Sequence, residues 1–259
     1  MIYVLQLTFL LILMSCQAPS RTPSNVFYHD DRLRLAKDAK LPIGTIYNSL
    51  TDERTWGTGF QIDACHVLTN YHVVYDTAKE VPADHQVYFE DQAKGERIAA
   101  KLVLSGRPFE LTDHSVLSTN PHDWALLELK TCLEKERYFT LANYEYNQLE
   151  QMDLKMMGFP QNSGNSQIAL DPHCRIRNEA TYGLLHDCAS RPGSSGSPIY
   201  LDQDGILEVV ALNVSQRSDF DELISSYSDW IANVALAPES YFVPIQDYLN
   251  AKELTAPLP

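Results

Sequence analysis

The run Pro192-Gly193-Ser194-Ser195-Gly196-Ser197-Pro198 holds a serine between two glycines. Serine, glycine and proline packed this densely also make turns and linkers. Here, however, the run passes straight into the apolar Pro198-Ile199-Tyr200, as a loop entering a strand does and a linker does not. Glycines on both sides permit an unusual backbone conformation and close approach of another chain. Successive N–H groups can then converge on a developing oxyanion, which is worth about 2.7–4 kcal/mol per donor. A hydroxyl nucleophile also needs a base within hydrogen-bond reach and a carboxylate to orient that base. His72, in "CHVLTNYHVV", follows a Thr-Asn turn at the end of an apolar strand, where an imidazole can point across a cleft. Asp123, in "PHDWALLELK", heads a strongly apolar strand, where an ionised group is costly unless hydrogen-bonded. Alone, each has an ordinary reading as a surface histidine or a turn aspartate. Together, in the order His, Asp, Ser, they point to acyl transfer at Ser195.

Most of the chain that must position these residues reads as strands. Short apolar runs, among them "GTGFQID", "HVLTNYHVV", "HQVYFED", "RIAAKLVLS", "DWALLELK", "DLKMMGFP", "SPIYLD" and "LEVVALNVS", recur between turn signals. They show period-two alternation or β-branched and aromatic enrichment. Without regular intervening helices, this spacing predicts an all-β sandwich or barrel rather than a βαβ fold. One stretch breaks the pattern. In "RSDFDELISSYSDWIANVALA" the residues Phe220, Leu223, Ile224, Tyr227, Trp230, Ile231 and Val234 recur at spacings of three and four, predicting a helix over 217–235. Such a helix would pack on the barrel or cover a cleft. A second short helix is expected in "VPIQDYLNAKEL" before a Pro-rich end.

Taken together, "TNYHVV", "DWALLEL" and "PGSSGSP" resemble the motifs of the trypsin-like (chymotrypsin-fold) serine peptidases, and within them the compact bacterial branch that includes the glutamyl endopeptidases. The resemblance spans roughly residues 41–250, with "GTGFQI" ahead of the histidine. It implies two six-stranded antiparallel β-barrels with the active site between them, plus a short C-terminal helix. By motif, His72 is the general base, Asp123 orients it, Ser195 attacks the acyl carbon, and the N–H groups of Gly193 and Ser195 form the oxyanion hole. The chain departs from the family in three places. Ser194 stands where zymogens of the trypsin type carry an aspartate, so that activation switch is expected to be absent. Asn213, in "VVALNVSQ", aligns with a histidine that binds the substrate carboxylate in the glutamyl endopeptidases. Ala189 occupies the place of the aspartate in pockets for Lys or Arg, with Asp187 nearby but turned aside. Ala189 and Asn213 thus become the candidates for a pocket neither strongly basic nor strongly acidic.

With 34 acidic against 20 basic residues, the formal charge of −14 repels phosphate backbones and argues against nucleic-acid binding. The opening "MIYVLQLTFLLILMSC" is too short to span a bilayer and suits a secretory signal. Its Leu13-Met14-Ser15-Cys16 end resembles a lipobox, making Cys16 a lipidation candidate and membrane contact a matter of the anchor alone. Residues 1–16 are therefore read as signal, 17–40 as tether or pro-segment, 41–250 as the peptidase domain and 251–259 as tail. Gln17 after that cysteine suits outer-membrane sorting, with periplasm, cell surface and secretion all left open.

Without Cys16 an even set remains, Cys65, Cys132, Cys174 and Cys188, with three possible connectivities. Cys174 and Cys188 flank an expected hairpin and are paired, leaving Cys65 with Cys132. No C-x-x-C spacing suggests zinc, and no ligand cluster surrounds His66 and His72. No cofactor and no catalytic metal are expected, a calcium site among the carboxylates staying open. The chain is read as a monomer acting on protein or peptide substrates. A catalytically silent, membrane-tethered binding or adhesion protein on the same fold is the alternative, and an esterase a third reading.

Overall fold

The computed structural model describes residues 26–36, 40–48, 57–75, 86–91, 95–106, 120–160, 167–181, 183–217 and 226–255. Leu33–Leu35 forms β1. Six strands then build the first barrel: β2 (Ile43–Asn48), β3 (Gly57–Gln61), β4 (His66–Thr69), β5 (Val87–Asp91), β6 (Glu96–Ser105) and β7 (Ala125–Leu129). They close in the order β2-β3-β4-β7-β6-β5, every pair antiparallel. Alternation explains the closure: Ile46, Val67, Phe89, Ile98, Leu127 and Leu129 turn inward and form one buried cluster.

A linking strand, β8 (Phe139–Leu141), leads to the second unit. It consists of β9 (Leu154–Gly158), β10 (Ile168–Cys174), β11 (Ile176–Ala180), β12 (Gly183–His186), β13 (Pro198–Gln203), β14 (Ile206–Gln216) and β15 (Asn233–Leu236). β10 and β11 are one strand interrupted at Arg175. The first half pairs with β9 and the second with β12. Because β9-β13-β14-β15-β12 are paired in that order, the bent strand completes a second ring of six. The two-barrel expectation therefore holds, with two additions. β8 runs parallel to β14, and β1 pairs with the outer edge of β10.

A single apolar cluster fills the seam. Phe60, Leu68, Trp124 and Leu126 of the first barrel meet Met157, Phe159, Tyr200 and Leu212 of the second. Phe139 stands edge-on between Phe60 and Tyr200, with ring centroids 5.2 Å and 5.4 Å away. After the single helical turn α2 (Tyr146–Leu149) in the second unit, the expected C-terminal helix is α3 (Phe242–Thr255), which follows the 3₁₀ turn Pro238–Ser240. Ile245 of α3, together with Tyr241 just before it, is buried in the seam, while Lys252 pairs with Glu128 of β7. The last helix thus ties the end of the chain back onto the first barrel.

Two sequence expectations need correction. Part of the segment read as a tether or pro-segment outside the core is folded onto it: β1 pairs residue for residue with Leu170, Ala169 and Ile168, and Val26 and Phe27 are buried. The helix expected over 217–235 is not formed in the described part of that range. Asp229–Ile231 is a turn that leaves Trp230 81% exposed, and Asn233–Leu236 is a fully buried strand between β12 and β14. Phe220, Leu223 and Ile224 lie outside the described residues, as do Cys16 and the whole of residues 1–25.

Cys65–Cys132 and Cys174–Cys188 are bonded as expected. Such pairs belong to proteins that mature outside the reducing cytoplasm. Among the described residues no helix is long and apolar enough to cross a membrane.

Candidate active site

β4 ends at Thr69, and after Asn70 the chain makes the single helical turn α1 (Tyr71–Val74). Val73 and Val74 are buried in the barrel, and Asn48 Nδ2 donates to the Val73 carbonyl at 2.8 Å. His72 is left on the outer side of this pinned turn. Its main-chain N–H donates to Asp123 Oδ1 at 2.9 Å and its ring Nδ1 lies 2.7 Å from Asp123 Oδ2. A carboxylate only accepts, so Nδ1 carries the proton and Nε2 keeps its lone pair. Asp123 is 5% exposed, and Asn70 Nδ2 holds its carbonyl at 2.9 Å. Burial pushes the His72 pKa down, but the charge of Asp123 and its hydrogen bond together outweigh burial and hold it above the ordinary histidine value.

The loop bearing Ser195 comes from the second barrel, between Ser190 and β13. It turns at Gly193 (φ 93°) and Gly196 (φ 83°), conformations that favour glycine. At Gly196 a Cβ would also collide with the Thr58 carbonyl and the Thr69 hydroxyl, so the loop lies hard against the strand end that carries His72. Thr58 binds it directly: its N–H donates to the Ser195 carbonyl at 2.8 Å and its hydroxyl to the Gly193 carbonyl at 2.9 Å. Thr69 Oγ1 in turn donates to the Thr58 carbonyl at 2.7 Å. Ser195 Oγ donates to the Val214 carbonyl of β14 at 3.0 Å. Among the described residues, the N–H groups of Gly193 and Ser195 donate to no main-chain carbonyl.

The candidates for a specificity pocket lie behind this loop. Ala189 is 6% exposed, and its N–H donates to Asp171 Oδ2 at 2.7 Å. Burial pushes the Asp171 carboxyl up to about 6. Asn213 is 0% exposed. Its Nδ2 donates to the Ser194 carbonyl at 2.7 Å and reaches Ser190 Oγ at 3.3 Å. The nearby His186 is neutral at physiological pH, because burial pushes it down to about 3 against the weaker pull of the Asn213 carboxamide. Asp187 is turned aside, bonded to the Arg175 N–H and paired with Arg177. Among the described residues no group of three His, Cys, Asp or Glu side chains could hold a metal ion.

The fold brings His72 and Asp123 together and packs the Ser195 loop against the same strand end, with Thr58 and Asn70, which the sequence did not single out, as braces. The "GTGF" run marks Thr58 as part of a motif, yet the loop carbonyls it binds lie 135 or more residues away along the chain.

The model of the trypsin-like peptidase domain matches residues 57–212, from β3 through the loop bearing Ser195. The chain belongs to the trypsin-like peptidase family. As a family member it is a peptidase, acting on protein or peptide substrates. No curated protein matches it. Among solved structures, a Glu endopeptidase in complex with MPD is 21% identical with a TM-score of 0.59, covering 87% of this chain and 99% of its own. The inactive form of a serine-to-alanine mutant of Rv3671c from M. tuberculosis H37Rv is 18% identical with a TM-score of 0.48, covering 85% and 90%. The first of these likenesses supports the two-barrel fold of the trypsin-like peptidases.

Proposed function

We propose that this trypsin-like peptidase is an exported serine endopeptidase that works through an acyl-enzyme formed on Ser195. The observation that carries the reading is the double engagement of Asp123 by His72, through main chain and ring, with the Ser195 loop packed against the same strand end. Asp123 fixes the tautomer that leaves Nε2 as acceptor. For reaction, the Ser195 hydroxyl gives up its bond to the Val214 carbonyl and donates to Nε2. Oγ then adds to the substrate carbonyl carbon while the proton passes to His72, and the N–H groups of Gly193 and Ser195 receive the oxyanion. The imidazolium, stabilised by buried Asp123, returns the proton to the leaving amine. Water repeats the sequence on the acyl-enzyme.

Export rests on the apolar opening segment and is supported by the two disulfides, with Cys16 as the proposed site of lipidation. The Ser195–Val214 hydrogen bond is the one feature that favours the second reading, a silent binding protein on the same fold.

Labelling the purified chain with a fluorophosphonate decides between them. The expected result is labelling of the wild type and none of Ser195→Ala. A folded wild type that resists the probe overturns the enzymatic reading. In an active enzyme kcat/KM should fall as the pH drops through the His72 pKa, since the protonated ring cannot act as base. The midpoint should lie above the ordinary histidine value.

A further inference from the structure

Three consecutive carbonyls of the loop are gripped, and the grip comes from both barrels. Thr58 Oγ1 donates to the carbonyl of Gly193 at 2.9 Å, Asn213 Nδ2 to that of Ser194 at 2.7 Å, and the Thr58 N–H to that of Ser195 at 2.8 Å. In a trans peptide the N–H points opposite to the C=O. Among the described residues no peptide bond is cis, so holding these carbonyls also aims the N–H groups of Ser194, Ser195 and Gly196. The Ser194 N–H is taken up by the Arg191 carbonyl at 2.8 Å, and that of Gly196 by the Asn213 carbonyl at 2.9 Å. The N–H of Ser195, directed away from the Asn213 carboxamide, reaches no main-chain carbonyl among the described residues.

We infer that Asn213 is a positioning residue that aims the Ser195 N–H at the oxyanion, while Thr58, on the other barrel, steadies the peptides on either side of it. This rests on the reading of Ser195 as nucleophile. The orientation of the carboxamide follows from chemistry: the Ser194 carbonyl can only accept, and a flipped amide would set two oxygens 2.7 Å apart. Asn213 grips the loop through its main chain as well, donating its N–H to the Ser197 carbonyl at 2.9 Å while accepting from Gly196. Fully buried, with its Nδ2, N–H and carbonyl bonded to the loop, it presents no surface to a substrate side chain. Its work is to hold an amide still, a role different from the pocket role expected from its place in the sequence.

The test compares wild type, Asn213→Ala, Thr58→Val and Thr58→Ser, as full chains, on a peptide p-nitroanilide that the wild type cleaves. Losing an oxyanion donor outright costs about 10²- to 10³-fold in kcat, so a donor left in place but poorly aimed should cost about 10- to 100-fold. Asn213→Ala and Thr58→Val should therefore lower kcat by that amount with KM little changed. Thr58→Ser, which keeps the hydroxyl, should recover most of what Thr58→Val loses. In a stable acyl-enzyme the ester carbonyl stretch should move to higher frequency in Asn213→Ala, reporting weaker hydrogen bonding to the carbonyl oxygen. A merely structural role would not move that band. Unchanged kcat in Asn213→Ala, or a changed preference for the residue before the scissile bond with kcat on the best substrate retained, overturns the inference. If Asn213→Ala does not fold, the Thr58→Val and Thr58→Ser pair decides by the same readouts. A wild type inert to fluorophosphonate removes the proposed function and this inference with it, whereas an active wild type matched by its variants removes this inference alone.

Discussion

The two barrels handle buried charge differently. In the first, Asp91 is 1% exposed and faces Lys135 Nζ at 2.9 Å, Glu90 faces Arg97 at 3.0 Å, and Asp123 faces His72. In the second, Asp171 is 4% exposed and receives the N–H groups of Ala189 and His173, with no cation paired to it among the described residues. His186, buried beside a carboxamide, stays neutral. The second barrel has a counter-charged pair of its own in Asp187 and Arg177, but its Asp171 and His186 are driven toward neutrality by the loss of water. Titration of Asp171 should therefore make the stability of the barrel that supplies the nucleophile loop fall as the pH rises through about 6.

The largest expected effect lies in the first barrel. Lys135→Met removes the cation that faces Asp91 in a site both side chains have left water to form. Breaking a buried pair from one side costs about 3–5 kcal/mol. Urea denaturation should show a loss of that size. A loss below about 1 kcal/mol, as for a surface pair, would break the contrast between the barrels.

Next comes Asp171. Its carboxyl ionises near 3.8 in an unfolded chain and at about 6 in the fold. The folded state binds this proton more tightly, so the associated stability is complete below the unfolded value and is lost as the pH rises through the folded one. Above that window the deficit is on the order of 3 kcal/mol. Asp171→Asn keeps an acceptor for the Ala189 N–H and removes the charge. It should raise the denaturation midpoint at pH 8 and leave it nearly unchanged below pH 4, measured in parallel with wild type. A gain that is the same at all pH values would rule out titration of Asp171 as the cause.

How far these features could be read from sequence varies with the kind of information each carries. All eight of the quoted apolar runs contain strands, because alternation along a few residues is local and strands of a closed barrel bury one face. The placement of His72, Asp123 and Ser195 beside strand ends was legible because turn residues mark each position. The helix over 217–235 was misread because its spacing of three and four arose from two unrelated pieces. Trp230 belongs to an exposed turn, and Val234 to a strand buried by its neighbours β12 and β14. β1 was hidden for the opposite reason. It is a largely exposed edge strand held by main-chain pairing to β10, so it carries little hydrophobic signal. The braces at Thr58 and Asn213 were beyond reach because they join residues that only the closed fold brings together.

The smallest effect concerns the disulfides, one on each side of the comparison. Cys65–Cys132 closes a sequence separation of 67 and Cys174–Cys188 one of 14. If each acts by restricting the unfolded chain, the longer loop should be worth about 1.4 kcal/mol more. The double serine variant at 65 and 132 should then lose that much more stability than the one at 174 and 188. Activity should rank them the other way. Cys188 precedes Ala189 and Ser190, its carbonyl accepts from Asn233 Nδ2 at 2.6 Å, and its bond to Cys174 clips the β11–β12 hairpin next to the wall behind Ser195. The other bridge joins the β3–β4 turn to the segment after β7, and no bond from it reaches the Ser195 loop. Releasing Cys188 should therefore lower turnover in molecules that are still folded, while releasing Cys65 should lower stability with turnover retained. Equal turnover in the two variants would mean that the loop is held by Thr58 and Asn213 alone, without help from the hairpin behind it.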